Sequence, residues 1–477
     1  MSQSPHKCFS FQEINKECAL RLKVEQMRYF GAILVQESSP ETLNIALLEP
    51  LTNPHKETLQ SLFSHCALEF GEIHLADFEK ALVWLEQEEY LQNLLKKIQQ
   101  EINQESKEKD SSIQSLVRFV LQIAISKNAS DVHFEYDFDY MRIRFRIDGV
   151  LVERFLLDKW LFAPLSASIK LLSHLNLTES KLPQDGRFEL ELFHLEDTLR
   201  TFDFRVSTLP LLEGESIVLR ILDKHKTLLP LESLGFGDTE LTQIQSLFNL
   251  PYGLVFITGP TGSGKSTTMY GILNILKERN LKIITLEDPV EYRLPHISQV
   301  AMNAEVSFAN ILRNVLRQDP DVIILGEVRD KESLQIAIQA AFTGHLVFAT
   351  LHTNDALDTI VRLHDMGLEP HFIAQSLSGI IAQRLLRKVC ACRQNSKHNN
   401  ALGCESCNHT GYCGRIAIAE IVLTSAELED FIYRRISKIE LLKKIEKQTP
   451  NFTLEQKAHQ LVTNGITDMR EVCRVVK

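Results

Sequence analysis

The stretch Phe256-Ile-Thr-Gly-Pro-Thr-Gly-Ser-Gly-Lys-Ser266 decides the fold. An apolar, β-rich run (Leu254-Val255-Phe256-Ile257) stops at Gly259 and passes through a glycine-rich turn to Lys265-Ser266. Thr267 to Lys277 then suits a helix. Strand, loop and helix in that order around Gly-x4-Gly-Lys-Ser form the P-loop pattern. Its glycines let backbone N–H groups turn inward around phosphate oxygens, and the helix aims its positive dipole end at them. Gly259, Pro260, Thr261, Gly262, Ser263, Gly264, Lys265, Ser266 and Thr267 are the candidate nucleotide cradle. Lys265 is expected to reach the β- and γ-phosphates and Ser266 to bind Mg²⁺.

With 477 residues the chain is too long for one core. Its 52 Lys+Arg against 62 Asp+Glu give a net charge of −10, which gives no support for direct nucleic-acid binding. The longest uncharged run contains Pro251, Pro260 and the P-loop, so it does not read as a membrane span. The N-terminus lacks the basic start and apolar centre of a signal peptide, and cytoplasmic residence is expected. Four of the nine cysteines fall between Cys390 and Cys407, which reads as a metal cluster before disulfides.

Taken in order, residues 1–85 read as a small α/β docking unit, with strands near 31–35 and 43–48 and helices near 54–63 and 76–85. Residues 86–112 turn Gln/Glu/Lys-rich and read as a charged helix and linker. The region 113–226 opens with a helix and continues with strands, among them Met141-Arg-Ile-Arg-Phe-Arg-Ile147, which sets Arg142, Arg144 and Arg146 on one face. Asp148-Gly149 is a hairpin turn, and Pro183-Gln-Asp-Gly186 reads as a loop before a strand at Arg187. From 231 to 477, strands and helices alternate, which implies a mostly parallel sheet covered on both faces. Helices are expected at 355–366, 371–386, 426–446 and 453–463.

A P-loop needs a carboxylate partner. The strand Asp321 to Gly326 delivers Glu327 at its C-terminal end, where such sheets bind ligands, and Glu327 is the candidate general base. Glu287-Asp288-Pro289-Val290-Glu291 follows another strand, so Glu287 and Glu291 are candidates for ordering water or supporting Mg²⁺; solvated loop acids are the plainer alternative. His345 and His352 bracket a third strand and are candidate γ-phosphate sensors, although lone histidines are usually structural. Phosphoryl transfer also calls for cations, for which Arg205 with Arg220 and Arg313 with Arg317 are the candidate pairs.

These motifs together resemble the type II secretion and type IV pilus assembly ATPases of bacteria. The resemblance runs from about Ile113 to the end, through Ala129-Ser-Asp-Val-His133, Phe145-Arg-Ile-Asp-Gly-Val150, Leu182-Pro-Gln-Asp-Gly-Arg187, Arg205-Val-Ser-Thr-Leu-Pro210, the P-loop, the acid box, Gly326-Glu-Val-Arg-Asp330, the histidine box and Gly411-Tyr-Cys-Gly-Arg415. It implies an α/β chain with a RecA-like ATPase core, a PAS-like second domain and a small N-terminal α/β domain. It further implies a homohexamer that hydrolyses ATP with Mg²⁺, peripheral at the inner membrane and acting on a platform protein of a secretion or pilus system. Arg205 and Arg220 match the family's arginine fingers, Arg313 and Arg317 its core-domain arginines, and Arg415 a position near the adenine. Cys390, Cys392, Cys404 and Cys407 match a structural tetracysteine zinc subdomain, although Cys390-x-Cys392 is one residue short and His398, His409 or Cys413 are possible substitutes. A conjugation-type translocating ATPase and a non-hydrolysing nucleotide-binding scaffold are the competing readings.

Overall fold

A computed structural model describes residues 7–39, 42–103, 109–193, 198–223, 228–302, 307–394, 403–404, 407–449 and 451–476. Three sheets organise them. The first has the order Cys8–Phe9, Ala67–Ile73, Thr42–Leu47, Ala32–Ser39, and Gly71 packs so close to Lys7 O that a side chain would collide there. The second is a six-stranded antiparallel sheet ordered Val150–Asp158, Tyr140–Ile147, Asp131–Tyr136, Glu215–Asp223, Leu199–Pro210, Gln184–Phe193.

The third sheet carries the P-loop. Its order is Ser298–Ala301, Ile283–Glu287, Val322–Leu325, Leu346–Leu351, Gly253–Thr258, Leu377–Val389, Tyr412–Leu423, parallel except for the last pair. Every residue of Gly253–Thr258 is buried. Leu254 and Phe256 join the apolar layer on one face, while Val255 and Ile257 join the layer on the other. Period-two alternation in a strand covered on both sides thus splits one apolar run between two cores.

Several expectations need correction. The segment 371–386 is not one helix: Pro370–Ser376 is helical and Leu377–Val389 is a strand that pairs with Gly253–Thr258. The second sheet's edge strand begins at Gln184, inside the expected loop. The helix expected over 426–446 breaks at Arg435, which takes φ 48° between Ala426–Arg434 and Lys438–Gln448. The change expected at 85–86 falls inside one helix, Leu75–Asn103. Its first turns bury Phe78, Ala81, Leu82 and Leu85 in the first core, and later turns bury Leu91, Leu94 and Ile98 in the second. Of 107–112, the most polar part of the expected linker, 107–108 lie outside the described residues and 109–112 are not linker but the start of the helix Lys109–Ser126. Among the described residues no helix is long and apolar enough to cross a membrane.

Candidate functional site

The parallel strands deliver their C-terminal ends to one crevice. Gly253–Thr258 ends in a loop whose Gly259, Gly262 and Gly264 take φ of 147°, 79° and 91°, and the helix Lys265–Leu276 starts directly after it. Gly259 is needed twice over: its φ is unfavourable for an L side chain, and a Cβ there would lie 2.7 Å from Gln383 O. Lys265 Nζ donates to the carbonyls of Gly259 at 2.7 Å and Pro260 at 3.2 Å. Burial lowers the Lys265 pKa to about 8; the Glu327 charge opposes the shift and Arg384 adds to it.

Ser266 Oγ donates to Glu291 Oε1 at 3.3 Å. Burial raises the Glu291 carboxyl; the Ser266 bond opposes this, Glu287 reinforces it, and Arg205 and Arg220 pull it down. A hydroxyl beside a carboxylate is an all-oxygen donor set that suits Mg²⁺. Glu287 is engaged differently. It is buried and accepts from the Tyr270 hydroxyl, from Thr285 Oγ1 at 2.7 Å and from Gln299 Nε2 at 3.1 Å. With three partners it ties the strand end to the P-loop helix, and Tyr270 also receives the Tyr292 amide.

Glu327 follows Val322–Leu325 and Gly326. A Cβ at Gly326 would sit 3.0 Å from Leu286 O and 3.3 Å from Glu287 Cα, so the two acid-bearing strand ends pass almost in contact. Glu327 accepts from Arg329 Nη2 at 2.6 Å and faces His352 Nε2 at 3.5 Å. The Arg329 bond holds its carboxyl below the usual range against partial burial. Burial and the Lys265 charge keep His352 below the ordinary imidazole value. His345 is elsewhere. It precedes Leu346–Leu351, and its carbonyl accepts from Gly253 at the start of the P-loop strand. Six residues of strand, roughly 20 Å, separate it from the crevice, and its ring instead meets Thr343 Oγ1 and Ala340 O at the opposite end. The expectation of a phosphate-sensing His345 is therefore corrected; His352 stands at the right end.

The arginines divide. Arg205 and Arg220 are register partners on the second sheet, and their charges bear on Glu291. Arg313 pairs with Glu332, and Arg317 folds back on Asn314 and the Arg313 carbonyl, so the structure shows both on an exposed helix end. Arg415 Nε meets Asp148 Oδ1 at 3.2 Å while Gly414 N donates to Asp148 Oδ2 at 3.1 Å. That contact joins the third sheet to the hairpin turn of the second. Arg142, Arg144 and Arg146 each have acidic partners, so their row is not a bare phosphate-binding face.

Two site residues escaped the sequence reading. Gln383 Nε2 donates to Ser263 O at 2.8 Å, gripping the loop from the neighbouring strand. Buried Arg384 donates to Asn354 O at 2.6 Å, fixing the segment that carries His352. Both fall where a helix was expected, so no strand-end argument could reach them.

At the far end of that strand, the sulfur atoms of Cys390, Cys392, Cys404 and Cys407 lie within 4.8 Å of one another. Cys390–Cys404 and Cys392–Cys407 are 3.8 and 3.9 Å apart. Sulfurs at about 2.3 Å from a tetrahedral zinc are about 3.8 Å from each other, so the set fits Zn²⁺. Cys404 N and Gly411 N donate to Cys407 Sγ at 3.0 and 3.3 Å, which fixes the orientation of that sulfur. The short spacing is accommodated because Cys390 directly follows the strand Leu377–Val389 and Cys392 lies in the short helix Ala391–Gln394. Among the described residues His409 and Cys413 stand outside this set; His398 lies outside the described residues.

Residues 106–474 match the family described as type II/IV secretion system protein. The chain is 43% identical over 389 residues to a type II secretion system protein E of Klebsiella pneumoniae, covering 78% of this chain and 77% of that one. A type II secretion system ATPase E of Vibrio cholerae is 41% identical over 391 residues, covering 78% and 76%. Among solved structures, the pilus retraction motor PilT with bound ADP aligns with TM-score 0.54 at 27% identity, covering 74% of this chain and 95% of that one. The Legionella pneumophila ATPase DotB aligns with TM-score 0.59 at 24% identity, covering 76% and 95%, a likeness of fold.

Proposed function

The chain belongs to the type II/IV secretion system protein family and is an ATPase, and from that premise we propose that it is a hexameric motor driving assembly of a type II secretion pseudopilus or type IV pilus. It works from the cytoplasmic face of the inner membrane on a platform protein held there. One observation carries the reading: Lys265, Ser266, Glu291, Glu327 and His352 converge at the strand ends, with Arg205 and Arg220 of a different sheet charging the same crevice. A site built between two sheets converts nucleotide turnover into relative motion of those sheets.

The roles follow from position. Backbone amides of 259–266 and the helix dipole hold the phosphates, and Lys265 neutralises the β- and γ-oxygens. Ser266, with Glu291 behind it, would hold Mg²⁺, which would supply charge neutralisation on the same oxygens. Glu327, ionised and oriented by Arg329, orders the attacking water and takes its proton. His352, neutral, offers a hydrogen bond at the γ-phosphate end. Arg205 and Arg220 stabilise the charge that builds as the terminal phosphoryl leaves. Arg313 and Arg317 act at a subunit boundary, and Arg415 tunes the seat of the second sheet through Asp148. Cys390, Cys392, Cys404 and Cys407 would hold Zn²⁺ in a purely structural role.

Steady-state ATP hydrolysis, measured beside solution mass for the intact chain and for Glu327→Gln, tests this. The expected result is turnover that rises with hexamer formation and falls at least about 100-fold in the variant, while ATP binding persists. Binding without turnover in an assembled, Mg²⁺-supplied hexamer would favour a scaffold. Unchanged turnover in Glu327→Gln would move the base to Glu291.

A further inference from the structure

Four arginines and one aspartate share a single row across the second sheet. Strand registers pair Arg187 with Arg205, Arg205 with Arg220, Arg220 with Asp131, and Asp131 with Arg146. Directly paired residues project from the same face, and like charges so placed repel. Asp131 is the carboxylate in the row, and its side chain is only 9% exposed. Its Oδ1 accepts from Arg220 Nε at 3.0 Å. Its Oδ2 accepts from Ser130 Oγ at 2.8 Å and faces Arg146 Nε at 3.6 Å. Arg146 is itself tied to Gly149 O at 3.1 Å. The Arg220 side chain stays 63% exposed. An anchored, buried acid thus grips an exposed guanidinium by the nitrogen nearest its stem.

We propose that Asp131 is a positioning residue for ATP hydrolysis: it fixes Arg220 through Nε so that the terminal nitrogens are presented to the phosphate chain. The inference rests on the reading of Arg220 as a phosphate-stabilising cation. An unanchored arginine loses rotamer entropy each time it engages, whereas a guanidinium held at Nε is oriented before the charge develops. The Asp-Val-His segment that the family resemblance singled out gains a task here. A carboxylate that only relieved repulsion within the row would affect stability and leave turnover alone.

The test measures kcat and KM for ATP, with melting temperature, on the full chain as Asp131→Asn, Arg220→Ala and the double variant. Asp131→Asn is expected to lower kcat about tenfold with KM within about twofold, and the double variant is expected to be no slower than Arg220→Ala. Losses that multiply in the double variant overturn the proposal, as does a wild-type kcat with a lowered melting temperature in Asp131→Asn. An unimpaired Arg220→Ala removes the underlying reading of Arg220 and the proposal with it, and it is seen in the single variant alone. Should Asp131→Asn fail to fold, Arg220→Lys probes the same contact by keeping the charge and losing Nε. Its kcat is expected within about threefold of Arg220→Ala, and a wild-type value overturns the proposal.

Discussion

Gln383 donates from its side-chain nitrogen to the carbonyl oxygen of Ser263 at 2.8 Å, joining the phosphate loop to a strand 120 residues further along. Both groups are buried, so removing the donor strands a carbonyl at a cost of about 1–3 kcal/mol. Gln383→Leu should raise KM for ATP about tenfold and lower the melting temperature, with Gln383→Glu also impaired because two acceptors would then face each other. Steady-state kinetics and calorimetry read both effects.

Lys265 gives a proton-linked binding signature. Its pKa in the free protein lies at about 8 through burial, below the ordinary lysine value, so the unfolded chain holds this proton more tightly. Stability from this group therefore rises with pH between about 8 and the ordinary lysine value. Bound phosphates favour the charged amine, so ATP binding near pH 8.5 is expected to take up roughly half a proton or more. Calorimetry in buffers of different ionisation enthalpy measures the uptake, and Lys265→Arg, charged throughout, should abolish it.

Arg329 holds the Glu327 carboxyl below its usual range. If Glu327 works ionised, kcat/KM falls only when pH drops through that lowered value. Arg329→Ala should therefore shift the acid limb of the pH–rate profile upward, toward the ordinary carboxylate range, while the plateau falls less than in Glu327→Gln. An acid limb that stays in place would separate Glu327 from the proton transfer.

The four-cysteine set should carry one zinc per chain by elemental analysis. Cys392→Ser is expected to lose the metal and lower the melting temperature, since metal affinity becomes folding free energy when no site exists in the unfolded chain. ATP hydrolysis should fall by no more than about tenfold in the folded fraction, because the sulfurs supply no group to the nucleotide crevice.

The P-loop, the acid-bearing strand ends and the alternating third sheet were legible because each has local chemistry tied to a period or a turn. Leu377–Val389 was not. Nine of its thirteen residues are buried, from both faces, so polar alternation is absent, and Leu377, Ile380, Ile381 and Leu385 fit a helical stripe equally well. With that strand read as a helix, Gln383 and Arg384 stayed hidden, and its antiparallel partner Tyr412–Leu423 went unread as well. His345 and His352 look equivalent as letters. Only strand direction, parallel to the P-loop strand, separates the end that faces phosphates from the end that does not. The contact of Asp148 with Arg415 lies between segments hundreds of residues apart, and no spacing rule announces it.

Gly326 has little room: a Cβ there would lie 3.0 Å from Leu286 O and 3.3 Å from Glu287 Cα, so the neighbouring strand end would have to give by a few tenths of an ångström. Each larger side chain at this position should disturb the neighbouring strand end more. A saturation library across 320–330 should enrich glycine at 326 beside a retained Glu327, with alanine the replacement tolerated best at 326. Anyone re-engineering this crevice for another nucleotide should therefore treat the two adjoining parallel strand ends as one indivisible unit of inheritance.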